Sequence, residues 1–271
     1  MEKTHGVAPM LDRGCGHAGS TGPRRRMQGR SKAGADQGTS SRKRWTLRNE
    51  FHPPVEEYLE TIESLHEEGE PVIQARIAER LGKSAPSVSE MLDRLTNDGY
   101  VDRAGRMITL TEKGQLLARS VIRKHRLAER LLVDVIGLPW HKVHDEAGRW
   151  EHVISDDVEE RLVELLGDPA TCPHGNPIPG SARPLEERGR QVALADVPAG
   201  ATILFERLTE AVELDNTSLR YLDEAGFIPG TTATVETRAP DGTVVVRLEG
   251  RTLALGHDLC GRLFVVVAAP V

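Results

Sequence analysis

Between residues 55 and 111, segments with helical and strand periodicity follow one another in a fixed order. Three helical patterns come first (VEEYLETIESLHEEGE, IQARIAERLG and SAPSVSEMLDRLTNDG), and two short strands in YVDRAGRMITLT follow. In the first pattern apolar residues recur every three to four positions, which is typical of an amphipathic helix. Three helices followed by a β-hairpin is the order of a winged helix-turn-helix, a fold that places one helix in the DNA major groove.

The start of the third helix carries side chains suited to DNA. Ser84 is the expected N-cap and Pro86 lies in the first turn, while Gly82 and Gly99 end the second and third helices. Small hydroxyls at a helix N-terminus suit phosphate oxygens, a compact apolar residue suits a thymine methyl, and a carboxylate can accept from cytosine. Two arginines of the wing suit backbone contact, although Ser84 and Pro86 can also be read as capping residues alone. The predicted DNA contacts are Ser84, Pro86, Ser87, Ser89, Glu90, Arg103 and Arg106.

The remainder of the chain divides into a helical part and a β-rich part. A long amphipathic helix begins after Thr111, and a second helix starts at residue 141 and runs to about residue 167. A Pro- and Gly-rich connector follows, and then come five short strands around one helical turn, which suit a small SH3-like barrel. The expected fold class is therefore mainly α with a β C-terminal part. Its divisions are a basic disordered arm (1–50), a winged helix-turn-helix domain (51–113), a helical dimerisation and metal domain (114–182), a linker (183–194) and an SH3-like domain (195–271).

Composition narrows the class of protein. No run of eighteen apolar residues occurs, so no membrane partner is expected. The three cysteines are odd in number and widely spaced, which argues against a disulfide framework and favours a reducing cytoplasm.

Metal-capable side chains cluster in HKVHDEAGRWEHVISDD, residues 141–157. His144 and Glu151 are seven residues apart and point the same way, but they lie about 10 Å apart along a helix axis. One ion cannot span that distance, so the spacing indicates two neighbouring ions, with His152 beside Glu151. On the preceding helix His125 and Glu129 are one turn apart and could complete the first site. In the first helix, Glu57 and Glu60 could complete the second site.

The motifs RKHRLAERLL, KVHDEAGRWEHVISDDVEERL and HGNPIPG, with RIAERL and SAPSVS upstream, resemble the diphtheria toxin repressor family of metal-activated transcriptional repressors. The resemblance runs from Val55 to the C-terminus and excludes the basic arm. It implies a winged-helix domain, a helical dimerisation and metal domain and a tethered SH3-like domain, which is the order read above.

The resemblance also assigns ligands. The first ion is expected on His125, Glu129 and His144, joined by Glu210 and Glu213 from the SH3-like domain. The second ion is expected on Glu57, the carbonyl of Gly148, Glu151 and His152, with Glu60 nearby. An anion-binding spot falls on Arg126, Cys172 and Asn176.

Two departures from the family's iron-type pattern bear on the metal. Iron-type members carry Met at the position of Glu57 and Cys at that of Gly148, whereas EYLE matches the manganese-type pattern in the first helix. Manganese-type members also carry Glu at the position of Gly148, so the match is incomplete. A set of oxygen and imidazole ligands without sulfur favours Mn(II), with Fe(II) as the alternative. Glu90 stands where members often carry Gln, so the operator sequence is not assumed.

The expected function is a homodimeric repressor of manganese or iron homeostasis genes. It binds a double-stranded DNA operator and takes two ions per subunit as corepressor. A metallohydrolase is the rival from another class, but no HExxH or similar catalytic pairing is present, so an enzyme is not expected. A metal-independent winged-helix regulator is the third alternative.

Residues 1–50 contain eleven Lys and Arg against four Asp and Glu, so this arm has a net charge of +7 in a chain of net charge −6. Such a basic, Gly- and Ser-rich segment without apolar periodicity is typical of a disordered arm that contacts a polyanion. The alternative is an over-extended gene start, with Met27 as an internal start.

Deletion of residues 1–50 tests the arm. Because its contacts would be with phosphates, we expect the deletion to flatten the salt dependence of DNA binding and to leave base preference unchanged. Affinities for operator and scrambled DNA, measured across a salt series, give both quantities. A slope equal to that of the full chain would show that the arm makes no phosphate contacts.

Overall fold

The computed structural model describes residues 54–183 and 189–268, so the predicted basic arm lies outside the described residues. The described chain begins with the winged helix-turn-helix. Its elements are α1 (Pro54–Glu67), α2 (Gln74–Leu81), α3 (Ala85–Asn97) and the antiparallel hairpin of β1 (Val101–Ala104) and β2 (Met107–Leu110).

The turn between α2 and α3 forms for the reasons expected from the sequence. Gly82 ends α2 in the left-handed conformation, with a φ of 60° that glycine adopts without strain. The side chain of Ser84 then accepts a hydrogen bond from the backbone N–H of Ser87 and caps α3. Behind this turn, Leu59, Ile77 and Leu92 belong to one buried core that fixes α3 against α1 and α2.

A second set of helices follows the wing. Its elements are α4 (Glu112–Leu131), which continues in a π-helical turn (Leu132–Ile136), a short 3₁₀ turn (Trp140–Lys142), α5 (Val143–Trp150) and α6 (Asp156–Leu166).

The prediction of one continuous helix from residue 141 to residue 167 is wrong. α5 ends at Trp150, and Ser155 starts a new helix by accepting a hydrogen bond from the N–H of Val158. Asp156 and Asp157 lie in the first turn of α6, where carboxylates favour a new N-terminus. Glu151 and His152 therefore lie at the end of a short helix.

The C-terminal part is β-rich, as expected. Its elements are β3 (Gln191–Ala193), a 3₁₀ turn (Leu194–Asp196), β4 (Thr202–Leu208), α7 (Glu210–Glu213), α8 (Asn216–Ala225), β5 (Thr232–Arg238), β6 (Val244–Leu248), β7 (Arg251–Leu255), α9 (His257–Cys260) and β8 (Leu263–Val267). The strands form one antiparallel sheet in the order β3-β8-β4-β5-β6-β7.

The sheet has six strands in the described chain rather than the five expected. The added strand, β3, lies inside the segment that was predicted to be a linker, and Val192 pairs with Val265 of β8. Three residues are too few for an alternating pattern to be recognised in a sequence, because strand periodicity needs four or more positions. The predicted fold class is confirmed.

The SH3-like domain is attached to the helical part through buried contacts. Trp140, between the π-helical turn and α5, belongs to the same buried core as Phe205 and Leu222 of the SH3-like domain. Its indole N–H donates a hydrogen bond to the carbonyl of Pro173 at 3.0 Å. Helices of the described chain include none that is both long and apolar enough to cross a membrane.

Two helical glycines provide a matched test of packing. A Cβ on Gly114, in the first turn of α4, would lie 2.1 Å from the carbonyl oxygen of Tyr100, whereas a Cβ on Gly148 in α5 would meet no atom within 4 Å. We expect Gly114→Ala to destabilise the metal-free protein by about 1–3 kcal/mol, as overpacking does. Gly148→Ala should instead stabilise it by up to about 1 kcal/mol through helix propensity.

Urea denaturation without added metal measures both changes. Equal free energies of unfolding for the two variants would contradict the close approach of α4 to Tyr100.

Candidate metal centre

Metal-capable side chains from five segments meet in one largely buried region. The segments are α1, α4, α5, the connector after α6, and α7. The winged helix-turn-helix, the helical part and the SH3-like domain all contribute to it.

The first group joins α4, α5 and α7. Nε2 of His125 lies 3.2 Å from Oε1 of Glu129 and 3.1 Å from Nδ1 of His144. Nδ1 of His144 lies 2.9 Å from Oε2 of Glu213. One donor atom from each of the four residues lies within 4.8 Å of the others. Because metal–ligand bonds measure about 2.0–2.2 Å, small shifts of the side chains suffice to place all four around one cation.

Glu210, predicted as a fifth ligand, is not part of this group. Its carboxylate lies 3.9 Å from the guanidinium of Arg80. It nevertheless lines the same cavity as His125 and Glu213.

Sequence reasoning missed His174. This residue is fully buried, and its Nδ1 lies 3.0 Å from Oε1 of Glu129. With Glu129 and Cys172 it forms a further group whose donor atoms lie within 4.8 Å of one another. The signal was present in TCPHG, where a Cys and a His stand two residues apart. The sulfur of Cys172, assigned by resemblance to an anion site, therefore lies beside the first group.

The second group joins α1, α4 and α5, and consists of Glu60, His125 and Glu151. Nδ1 of His125 is 2.5 Å from Oε2 of Glu151. Nε2 of His152 is 3.0 Å from the other oxygen of Glu151, and its Nδ1 is 2.6 Å from Glu56. Glu56 is thus a second residue that sequence reasoning missed, next in the chain to the predicted ligand.

Two other predicted ligands of the second ion lie at the edge of this group. Glu57 and Gly148 line the same cavity as Glu151 and His152. The carboxylate of Glu57, however, is paired with the ammonium of Lys83 at 2.5 Å.

The charges of the cluster are strongly coupled. Burial alone would lower the pKa of His125, but the carboxylates of Glu129 and Glu151 raise it well above its usual value. Burial likewise opposes ionisation of His144, and its contacts with Glu129 and Glu213 raise its pKa to about 10. Burial, reinforced by Glu151, raises the pKa of Glu60 to about 8. Without a metal ion, imidazolium groups therefore compensate the buried carboxylates.

The residues assigned to anion binding have protein partners. Nη2 of Arg126 lies 2.7 Å from Oε2 of Glu67, and its Nη1 donates to the carbonyl of Pro177. The side-chain amide of Asn176 donates to Oε1 of Glu213 at 2.5 Å. Carboxylates of the protein thus stand where an external anion was expected.

Most residues predicted to contact DNA are exposed around α3 and the wing. Ser84, Pro86, Ser87 and Glu90 are exposed at or near the start of α3, and Ser89 is half-buried. In the wing Arg106 is exposed. Arg103 is also exposed, and its guanidinium lies 2.5 Å from Asp93 of α3, so it also ties the wing to the reading helix.

The donor set suits a divalent cation. Oxygen and imidazole donors predominate, and a thiol lies at one side, which first-row divalent metals accept. Among the described residues, Oε2 of Glu129 and Nε2 of His174 are buried without a hydrogen-bond partner. An unsatisfied buried carboxylate oxygen is costly, and a bound cation would satisfy it.

Three family profiles match this chain. The profile "Iron dependent repressor, N-terminal DNA binding domain" matches residues 50–107, and "Iron dependent repressor, metal binding and dimerisation domain" matches residues 111–180. The FeoA domain profile matches residues 192–267.

Individual proteins give the same result. The iron-dependent repressor IdeR of Mycobacterium tuberculosis is 47% identical over 220 residues, which cover 78% of this chain and 96% of that protein. The diphtheria toxin repressor of Corynebacterium efficiens is 44% identical over 212 residues, covering 76% and 91%. A solved "Manganese-dependent transcriptional repressor complex with manganese" superposes with a TM-score of 0.71 at 32% identity, covering 79% of this chain and 100% of that one.

With this level of identity over nearly the whole length of its relatives, the chain belongs to the diphtheria toxin repressor family of iron-dependent repressors, and it is a metal-activated, DNA-binding transcriptional repressor rather than an enzyme.

Proposed function

We propose that each subunit binds two divalent ions, and that their binding holds the reading heads of a homodimer at the spacing of a DNA operator. The observation that carries this proposal is the double role of His125. Its Nε2 faces Glu129 and His144, while its Nδ1 faces Glu151. One imidazole therefore contacts both ligand groups, and through them α1 of the reading head and α7 of the SH3-like domain.

For the first ion we propose His125, Glu129, His144 and Glu213 as ligands, with Glu210, Cys172 and His174 within reach. For the second ion we propose Glu57, Glu60, the carbonyl of Gly148, Glu151 and His152. Nδ1–H of His125 then donates to Glu151, an outer-sphere contact that orients an imidazole ligand and ties the two sites together.

The choice between Mn(II) and Fe(II) depends on the donors. At the second site the proposed ligands are oxygens and one imidazole, which favours Mn(II). The thiol of Cys172 beside the first site suits softer ions and keeps Fe(II) as the alternative. We propose manganese or iron homeostasis genes as targets. The free, buried thiols of Cys172 and Cys260 are consistent with a reducing cytoplasm.

Dimerisation through the helical part is supported by its surface. Val135, Ile136 and Leu165 are exposed by 56%, 54% and 63%, and all three lie in the segment matched by the dimerisation profile. Exposed apolar patches commonly mark association surfaces. In a two-fold dimer the two α3 helices would address half-sites one helical turn, or a multiple of it, apart.

Mobility shift on the protein's own promoter, with Mn(II), Fe(II), Zn(II) or a chelator, tests the proposal directly. Half-maximal binding should require metal and should be reached at the lowest concentration with the physiological ion. Operator binding of equal strength in chelator would instead favour a metal-independent winged-helix regulator.

His144 and His141 provide a matched pair of variants. Both contact a carboxylate of the SH3-like domain, but His141 contacts Asp223, outside the metal groups. Loss of an outer-sphere partner alone costs about 10–100-fold in metal affinity, so His144→Gln should raise the half-maximal metal concentration by at least about tenfold. His141→Gln should leave it unchanged, and equal shifts for the two variants would count against His144 as a ligand.

Metal binding should also release protons. His125, His144 and Glu60 have raised pKa values, so near neutral pH they are protonated in the metal-free protein, whereas ligands must be deprotonated. We expect roughly three protons per subunit for two Mn(II) ions, and weaker binding as the pH falls. Calorimetry in two buffers of different ionisation enthalpy counts them.

His144→Gln should release about one proton fewer, because it removes one protonated ligand. A wild-type titration without net proton release would contradict the assignment of these residues.

A further inference from the structure

Lys83 occupies the turn of the helix-turn-helix, directly before the cap of the reading helix. Gly82 ends α2 on one side, and Ser84 caps α3 on the other. The backbone N–H of Lys83 donates to the carbonyl of Ala78 at 3.1 Å, so the start of its side chain has a fixed position. A lysine at this place lies beside Ser84 and Ser87, which were predicted to contact phosphate.

The side chain of Lys83 nevertheless points back to α1. Its ammonium lies 2.5 Å from Oε2 of Glu57 and 5.1 Å from the centre of the Tyr58 ring. Tyr58 is buried, whereas the side chains of Lys83 and Glu57 are 32% and 36% exposed. The pair is therefore accessible enough to open and is screened by solvent, so it is weak compared with a buried ion pair.

Glu57 also lines the cavity that holds the proposed second site, together with Glu60, Glu151 and His152. One carboxylate is thus shared between a side chain of the reading head and a proposed cation site. A divalent ion carries twice the charge of an ammonium group. At the same carboxylate its repulsion of Lys83 outweighs the attraction that Glu57 still exerts.

We propose that Lys83 is a switch residue that pairs with Glu57 in the metal-free protein and contacts a DNA phosphate in the metal-bound protein. The proposal rests on the proposed function, because it takes Glu57 as a ligand of the second ion. Its consequence is that one lysine both opposes metal binding and strengthens the DNA contact that the metal enables. Lys83 would thereby set how much metal is needed for repression.

The switch predicts two changes in Lys83→Gln, and the first needs no DNA. Removal of the competing ammonium should tighten Mn(II) binding to the full chain about two- to tenfold, the range expected for loss of a partly exposed ion pair. Calorimetric titration of the DNA-free protein at constant salt measures it.

The second change concerns DNA. At saturating Mn(II), the slope of log affinity against log salt should become shallower by about 0.9, the contribution of one phosphate contact. Lys83→Arg keeps the charge and should restore both the wild-type Mn(II) affinity and the wild-type slope.

Lys113→Gln is the control for metal affinity. The ammonium of Lys113 also lies over a tyrosine ring, 3.9 Å from the centre of Tyr100, but it donates to the carbonyl of Asp98 rather than to a proposed ligand. This variant should bind Mn(II) with wild-type affinity.

The outcomes separate this proposal from the proposed function. Metal-dependent operator binding by the wild type, with unchanged Mn(II) affinity or an unchanged salt slope in Lys83→Gln, overturns the switch and leaves the function intact. Operator binding by the wild type that is independent of metal overturns the function, and the switch with it. Tighter Mn(II) binding together with a shallower slope supports the switch.

Discussion

The carboxylate of Glu129 is completely buried, and the surrounding chain is organised to compensate its charge. His125, His144 and His174 all place a ring nitrogen within 3.3 Å of its Oε1. These histidines come from α4, α5 and the connector after α6. A buried carboxylate without compensation is strongly destabilising, so these segments cannot pack elsewhere without a large cost in free energy. The same requirement that fixes the fold creates a cluster of donors in which cations can replace protons.

His125 transmits this requirement beyond its own helix. Because its two ring nitrogens face different carboxylates, the protonation or ligation of one nitrogen changes the charge seen by the other. Glu151 is held by His125 and His152 together, and their positive charges outweigh burial and lower its pKa to about 2. The two ligand groups therefore cannot titrate or load independently. Occupation of one should alter the affinity of the other, a reciprocal coupling through a single side chain.

The sequence predicted those features that depend on local spacing. The helix-turn-helix with its caps at Gly82 and Ser84 follows from short-range patterns, as does the pairing of His125 with Glu129 one turn later. Features that depend on which distant segments meet were missed. Nothing near His174 in the chain reveals that it will pack beside Glu129.

The partners of Glu57 and His152 were missed for the same reason. Lys83, 26 residues along the chain, pairs with Glu57, and Glu56 rather than Glu57 contacts His152. The end of α5 at Trp150 could have been read from Ser155 and the acids after it, but the apolar periodicity continued across the break and concealed it.

Trp140 has a consequence for how this architecture can be divided. The residue lies between the long helix and α5, yet its ring belongs to the core formed with Phe205 and Leu222. A fragment cut in the connector would leave the SH3-like part with a hole the size of an indole, and the helical part with a large exposed aromatic. Large cavities of this kind cost several kcal/mol. The boundaries of the sequence profiles are therefore not the boundaries of the folding units. An exchange of the SH3-like part between relatives would succeed only if the residue at position 140 were exchanged with it.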